Sequence, residues 1–109
     1  MSARRARPRL SQSDFQRVSR NALQQSTQLL SVWLPGGRRT GAEWVACNPT
    51  RSDRRPGSFK VNLLTGRWAD FATGDAGGDL ISLFAYLNQL TQSGALRKVE
   101  AELGIDERG

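Results

Sequence analysis

The sequence of 109 residues has no histidine, one cysteine and no long apolar segment, and each absence excludes a class of protein. Without histidine, neither a Ser-His-Asp nor a Cys-His catalytic arrangement can form. A lone Cys47 excludes an intramolecular disulfide. No apolar run approaches the roughly 18 residues that a membrane-spanning helix needs. The basic residues 1–10 are followed by no apolar core of the secretory type, so we expect a cytoplasmic protein.

The net charge of +6 is unevenly distributed along the chain. Residues 1–67 carry 13 basic and 3 acidic side chains, whereas residues 68–109 carry 3 basic and 7 acidic ones. This asymmetry predicts one positive face that binds a polyanion. The alternative interpretation is a solvated arginine-rich surface without a ligand.

The apolar pattern predicts one small α+β domain in residues 11–109, preceded by a disordered basic arm in residues 1–10. A first helix with apolar residues at helical spacing ends before the Pro-Gly-Gly at residues 35–37. A small-residue loop at residues 73–78 leads to a second helix, and a third one ends at Gly104. Between the first and second helices, alternating apolar residues predict three short strands, at residues 43–47, 58–63 and 67–71.

Basic and aromatic side chains are interleaved on these strands and their loops. Guanidinium groups bind phosphates and aromatic rings stack on bases, a combination that single-stranded nucleic acid requires. Phe59 alternates with Val61 and is expected in the core, whereas Trp68, beside a turn, is the best candidate for an exposed stacking residue, with burial as its alternative. The predicted nucleic-acid-binding residues are Arg38, Arg39, Arg51, Arg54, Arg55, Lys60, Arg67 and Trp68.

Three carboxylates, Asp70, Asp75 and Asp79, lie close in sequence and raise the alternative of a metal-dependent nuclease. Their local roles explain them better, since Asp79 suits a helix N-cap and Asp75 a turn. The loop GDAGG precedes a helix but lacks the Walker lysine, which argues against a nucleotide site. We therefore expect no catalytic residues, no metal and no other cofactor in this chain.

Two segments, CNPTRSDRRPGSF from Cys47 and WADFATGDAGGDLISL from Trp68, resemble the zinc ribbon that begins many bacterial and phage DNA primases. The resemblance implies a small antiparallel ribbon-like sheet, preceded by one helix and followed by two. Cys47, Thr50, Phe71 and Gly74 stand where the family has its four zinc ligands. This implies the metal-less form found at the N-terminus of mobile-element primase-helicases, with Phe71 filling part of the vacated space and Cys47 buried as a small hydrophobe.

By this resemblance the chain is a non-catalytic, DNA-binding accessory domain in the replication system of a phage, plasmid or integrated element. Its expected partners are DNA, with single strands as the expected form, and a primase, polymerase or helicase of the same element, with no membrane and no small-molecule substrate. The alternative is a protein adaptor that docks such an enzyme without binding DNA, through the acidic third helix and its tail. The acidic residues in question are Glu100, Glu102, Asp106 and Glu107.

Overall fold

The structure, a computed structural model, describes residues 12–50 and 57–104. Two consecutive helices come first, α1 (Gln12–Gln24) and α2 (Ser26–Trp33). Five strands follow: β1 (Arg38–Thr40), β2 (Glu43–Ala46), β3 (Phe59–Asn62), β4 (Trp68–Asp70) and β5 (Ala76–Gly77). Two more helices are α3 (Leu80–Asn88) and α4 (Gln92–Leu103). The order of helical segment, sheet and two helices confirms the predicted α+β class. The predicted basic arm, residues 1–10, lies outside the described residues.

The first helical segment is interrupted, although the sequence predicts one continuous helix. At Gln25 the backbone leaves the helical region, with φ −115° and ψ 26°. Its amide bonds to the Ala22 carbonyl at 3.0 Å, a three-residue step that is tighter than an α-helical turn. The apolar stripe runs on across this turn, with Ala22 buried before it and Leu29 and Leu30 buried after it. The apolar stripe is therefore buried on both sides of the break in the helix.

The five strands form an antiparallel meander in the order β1-β2-β3-β4-β5. The central strands β2, β3 and β4 match the three predicted from apolar alternation. The edge strands were missed for a physical reason: all three residues of β1 are exposed, and β5 has only the two small residues Ala76 and Gly77. Neither edge strand has the alternation that would indicate it in the sequence.

One face of the sheet, the inner face, packs against the helices. Trp44, Val61 and Trp68 lie opposite one another across β2, β3 and β4, and all three are buried together with Phe59. The expectation that Trp68 is exposed is wrong, since 5% of the residue is accessible. Its ring centroid lies 4.7 Å from that of Tyr86 and 6.0 Å from that of Phe59, and its indole N–H donates to the Ser82 hydroxyl at 2.9 Å.

Side-chain caps begin the two C-terminal helices, and the sequence predicts the Asp79 cap and the Gly104 end. Asp79 accepts a hydrogen bond from the Ser82 amide and forms a capping box at the start of α3. Thr91 caps α4, and Gly104 ends it in the left-handed conformation, with φ 75°. None of the helices in the described residues is both long and apolar enough to cross a membrane.

Candidate nucleic-acid interface

The other face of the sheet, the outer face, is not covered by the helices. Strand alternation that buries Trp44, Phe59 and Trp68 directs their neighbours to this outer face. A row crosses all five strands there, because consecutive members are paired in register: Arg38, Val45, Lys60, Ala69 and Ala76. The row contains two cations, and the residues between and beyond them are small or apolar.

Phe71 extends the outer face just beyond β4. It is 71% exposed, and its amide bonds to the Ser58 carbonyl at 2.8 Å, which anchors the backbone at this point. The Lys60 ammonium lies over its ring, 5.9 Å from the centroid. The expectation that Phe71 fills the space of a lost metal is therefore wrong. Phe71 is three residues after the buried Trp68, an odd number of steps, so strand alternation places it on the outer face.

A shallow groove of about 190 Å³ runs along this part of the outer face. Lys60, Arg67 and Phe71 provide its cations and its exposed ring, and Glu43 places one carboxylate in it. Trp68 also borders the groove but is too buried to offer a face to a base. The groove thus combines an aromatic ring with two cations, and the aromatic residue is not the one that sequence reasoning selected.

The remaining predicted binding residues divide into two groups. Arg38 and Arg39 lie on the edge strand β1 and are exposed, and the Arg39 guanidinium donates to the Gly41 carbonyl at 2.9 Å. Arg38 shares the cross-strand row with Lys60, two strands away. The three loop arginines, Arg51, Arg54 and Arg55, lie outside the described residues. Arg38 and Arg39 therefore lie at the edge of the sheet, and Lys60 lies at its centre.

At the end of the sheet where the resemblance places metal ligands, the structure has a hydrogen-bonded side-chain cluster, the Asn48 network. The buried Asn48 amide donates to the Asp70 carboxylate at 2.8 Å and to the Tyr86 hydroxyl at 2.9 Å. The Tyr86 hydroxyl donates to Asp75 at 2.7 Å, and the Thr50 hydroxyl lies 2.7 Å from Asn48 Oδ1. The Asn48 network therefore connects the turn after β2, the end of β4 and helix α3.

The residues at the four ligand positions do not fit zinc. Structural zinc needs four nitrogen or sulfur ligands, and of Cys47, Thr50, Phe71 and Gly74 only the half-buried Cys47 offers one. Within residues 12–50 and 57–104, no group of three or more His, Cys, Asp or Glu side chains is placed to hold a metal ion.

Each of the carboxylates considered for a nuclease has a structural role. Asp70 is fully buried and accepts from Asn48 and from the Ala72 amide at 2.9 Å. Asp75 accepts from Tyr86, and Asp79 caps α3, as expected for a helix N-cap. These contacts explain all three side chains without a catalytic cation.

Helix α4 presents fewer accessible carboxylates to a partner than its sequence indicates. Glu100 is buried, and the Arg17 guanidinium donates to it at 3.0 Å. Glu102 accepts from the indole N–H of Trp33 at 2.8 Å and remains exposed. Asp106 and Glu107 lie outside the described residues. Of the acidic pair on α4, only Glu102 is therefore accessible.

No protein-family model and no curated protein matches this sequence. A solved structure does match: the fold is similar to that of the Aquifex aeolicus primase, whose crystal structure comprises the zinc-binding and RNA polymerase domains. The TM-score is 0.69 at 19% sequence identity. The similarity covers 85% of this chain and 22% of that chain, so this protein spans about a fifth of the primase structure's length. The likeness supports a fold of the primase zinc-ribbon type.

Proposed function

We propose that the outer face of the sheet binds single-stranded DNA, and that the chain is a non-catalytic accessory domain of a primase-type replication system. The observation that carries the proposal is Phe71, an aromatic ring 71% exposed on a sheet face, with the Lys60 ammonium 5.9 Å from its centroid. An exposed phenylalanine contributes nothing to the core, whereas an unpaired base stacks on such a ring with a gain of roughly 1–3 kcal/mol.

The cations around the ring suit a phosphate backbone. Lys60 and Arg67 line the groove together with Phe71, and Arg38 lies in the same cross-strand row as Lys60. A strand that crosses the sheet would place phosphates near these cations while one base stacks on Phe71. The Glu43 carboxylate in the groove repels phosphates. A base edge, and not the phosphate backbone, would therefore lie next to Glu43. We assign the loop arginines Arg51, Arg54 and Arg55 to further backbone contacts on the strength of their charge.

Single strands are favoured over duplexes because stacking on Phe71 needs an unpaired base. The similarity to the primase structure supports a place in replication, and the segments quoted above support a mobile element as the source. In this role the domain would hold template DNA beside a primase, polymerase or helicase, which would perform the chemistry.

The proposal is tested by fluorescence anisotropy of a labelled oligonucleotide with the wild-type protein and Phe71→Ala. We expect the variant to bind single-stranded DNA about ten-fold more weakly, since one stacked base is lost. Its melting temperature should be unchanged because the ring is exposed. Leu64→Ala is the matched control: Leu64 is 72% exposed at the β3–β4 turn, so this substitution also removes an exposed apolar side chain, but not an aromatic ring. Equal affinities for Phe71→Ala and wild type would contradict the stacking role.

The same titration separates DNA binding from the adaptor alternative. A DNA-binding domain should bind single strands tightly at low salt and lose affinity steeply as salt is added. An adaptor that relies on its partner for DNA contacts would show weak binding by the isolated chain, with no difference between single strands and duplexes.

A further inference from the structure

A second groove, of about 350 Å³, lies on the helical side of the molecule, where α2, α3 and α4 meet the turn after β2. We refer to it as the helical groove. Five of its lining residues are apolar, Val32, Trp33, Pro49, Phe84 and Leu87, and polar atoms, including those of Asn88 and Glu102, supply about half of its surface. This surface takes no part in the DNA interface proposed above, which lies on the outer face of the sheet.

The floor of the helical groove is held in place by contacts within the fold. The Trp33 ring packs at 4.9 Å from that of Phe84, and its indole N–H is fixed by Glu102 at 2.8 Å. Because these contacts order the tryptophan, a ligand would not have to order it on binding. Above this floor, Val32 is 72% exposed, and a valine in that position gains nothing from the fold itself. The groove thus has a preformed floor on which apolar side chains are exposed beside polar ones.

Among the described residues, the charged side chain that lines the helical groove is negative, whereas the chain as a whole is positive. The chain carries a net charge of +6, yet Glu102 is the only charged residue among the described residues that line the groove. A carboxylate in the groove disfavours a polyanion at that position. It attracts a lysine or arginine that flanks an apolar side chain, which is a common arrangement when an amphipathic helix binds in a groove.

We propose that the helical groove is a docking site for a basic amphipathic helix of a partner protein. Apolar side chains of that helix enter between Val32 and Leu87, and a flanking cation pairs with the free carboxylate oxygen of Glu102. This places a protein contact and the DNA contact on different sides of the domain, so both can be occupied at once. The inference holds independently of DNA binding, because it rests on different residues.

The test uses three synthetic helical peptides and an isotope-labelled protein. One peptide has leucines on one face and lysines on the other, the second replaces the lysines with glutamates, and the third replaces the leucines with serines. We expect the Lys/Leu peptide to shift the Trp33 indole resonance and the amides of Val32 and Leu87. We expect the Glu/Leu peptide to leave those resonances unchanged and the Lys/Ser peptide to bind at least about ten-fold more weakly.

Two variants and a control decide the site. Val32→Asp and Glu102→Lys should each lower the affinity for the Lys/Leu peptide at least about ten-fold. Leu64→Asp, at a leucine as exposed as Val32 but outside the helical groove, should leave that affinity unchanged. Val32 is exposed, so the variant should fold, which the retained dispersion of the spectrum verifies. Equal binding of the acidic and basic peptides, shifts confined to the outer face, or full affinity of Val32→Asp would each overturn the proposal. So would self-association in sedimentation that Val32→Asp abolishes, since the occupant would then be a second copy of this chain.

Discussion

The side-chain amide of Asn48 donates a 2.8 Å hydrogen bond to the carboxylate of Asp70, and both residues are buried, at 1% and 0% accessible. Asn48 begins the turn after β2, and Asp70 ends β4, so the bond joins two segments that are not neighbours in the sheet. In the resemblance to zinc ribbons, these two segments carry the metal ligands. In this protein a buried hydrogen bond connects the same two segments.

Asn48→Leu should lower the free energy of unfolding by about 1–3 kcal/mol, because a buried carboxylate then loses a donor. Chemical denaturation measures this change. Asn88→Ala is the control, since Asn88 is exposed on α3 and its amide only bonds back to the Phe84 carbonyl at 3.1 Å. A surface change of that kind should stay within about 0.5 kcal/mol. Equal effects of the two substitutions would mean that the Asn48 network does not stabilise the fold.

Folding should be independent of zinc. One cysteine and no histidine cannot supply four ligands, so a chelator should leave the melting temperature unchanged. Elemental analysis of the purified protein should find no stoichiometric zinc. Zinc at one equivalent per chain, together with unfolding on chelation, would be incompatible with this prediction.

Gly77→Ala should destabilise the protein by about 1–3 kcal/mol through overpacking. A β-carbon at Gly77 would overlap the Trp68 indole and the Ser82 hydroxyl, which are hydrogen-bonded to each other. The adjacent Gly78 is a close control, because a β-carbon there would meet no atom within 4 Å among the described residues. Comparing the melting temperatures of Gly77→Ala and Gly78→Ala therefore distinguishes destabilisation by steric overlap from destabilisation by reduced backbone freedom. Similar losses for both would indicate that the backbone of the pair, and not the indole, requires glycine.

The sequence predicted the α+β class, the three central strands, the Asp79 cap and the burial of Phe59, because each of these has a local signal. It failed where two neighbouring aromatic residues compete for the core. Trp68 and Phe71 are three positions apart, so alternation along β4 must place them on opposite faces. Proximity to a turn suggested Trp68 as the exposed residue, whereas its register opposite Val61 places it inside. That register depends on long-range pairing, and so does the Asn48 network, whose partners are 22 and 38 residues away.

Replacing Arg51, Arg54 and Arg55 together with alanine should weaken single-stranded DNA binding for every sequence tested. If each arginine neutralises one phosphate, the slope of log affinity against log salt should fall by about 2, since single strands release roughly 0.7 counterions per phosphate. Anisotropy titrations between low and moderate salt measure this slope. Arg20→Ala with Lys98→Ala serves as the control, because both residues are exposed on helices, away from the outer face of the sheet. If the triple variant keeps the wild-type slope while Phe71→Ala still weakens binding, the phosphates are held by other cations. The first to replace would then be the four arginines of residues 1–10.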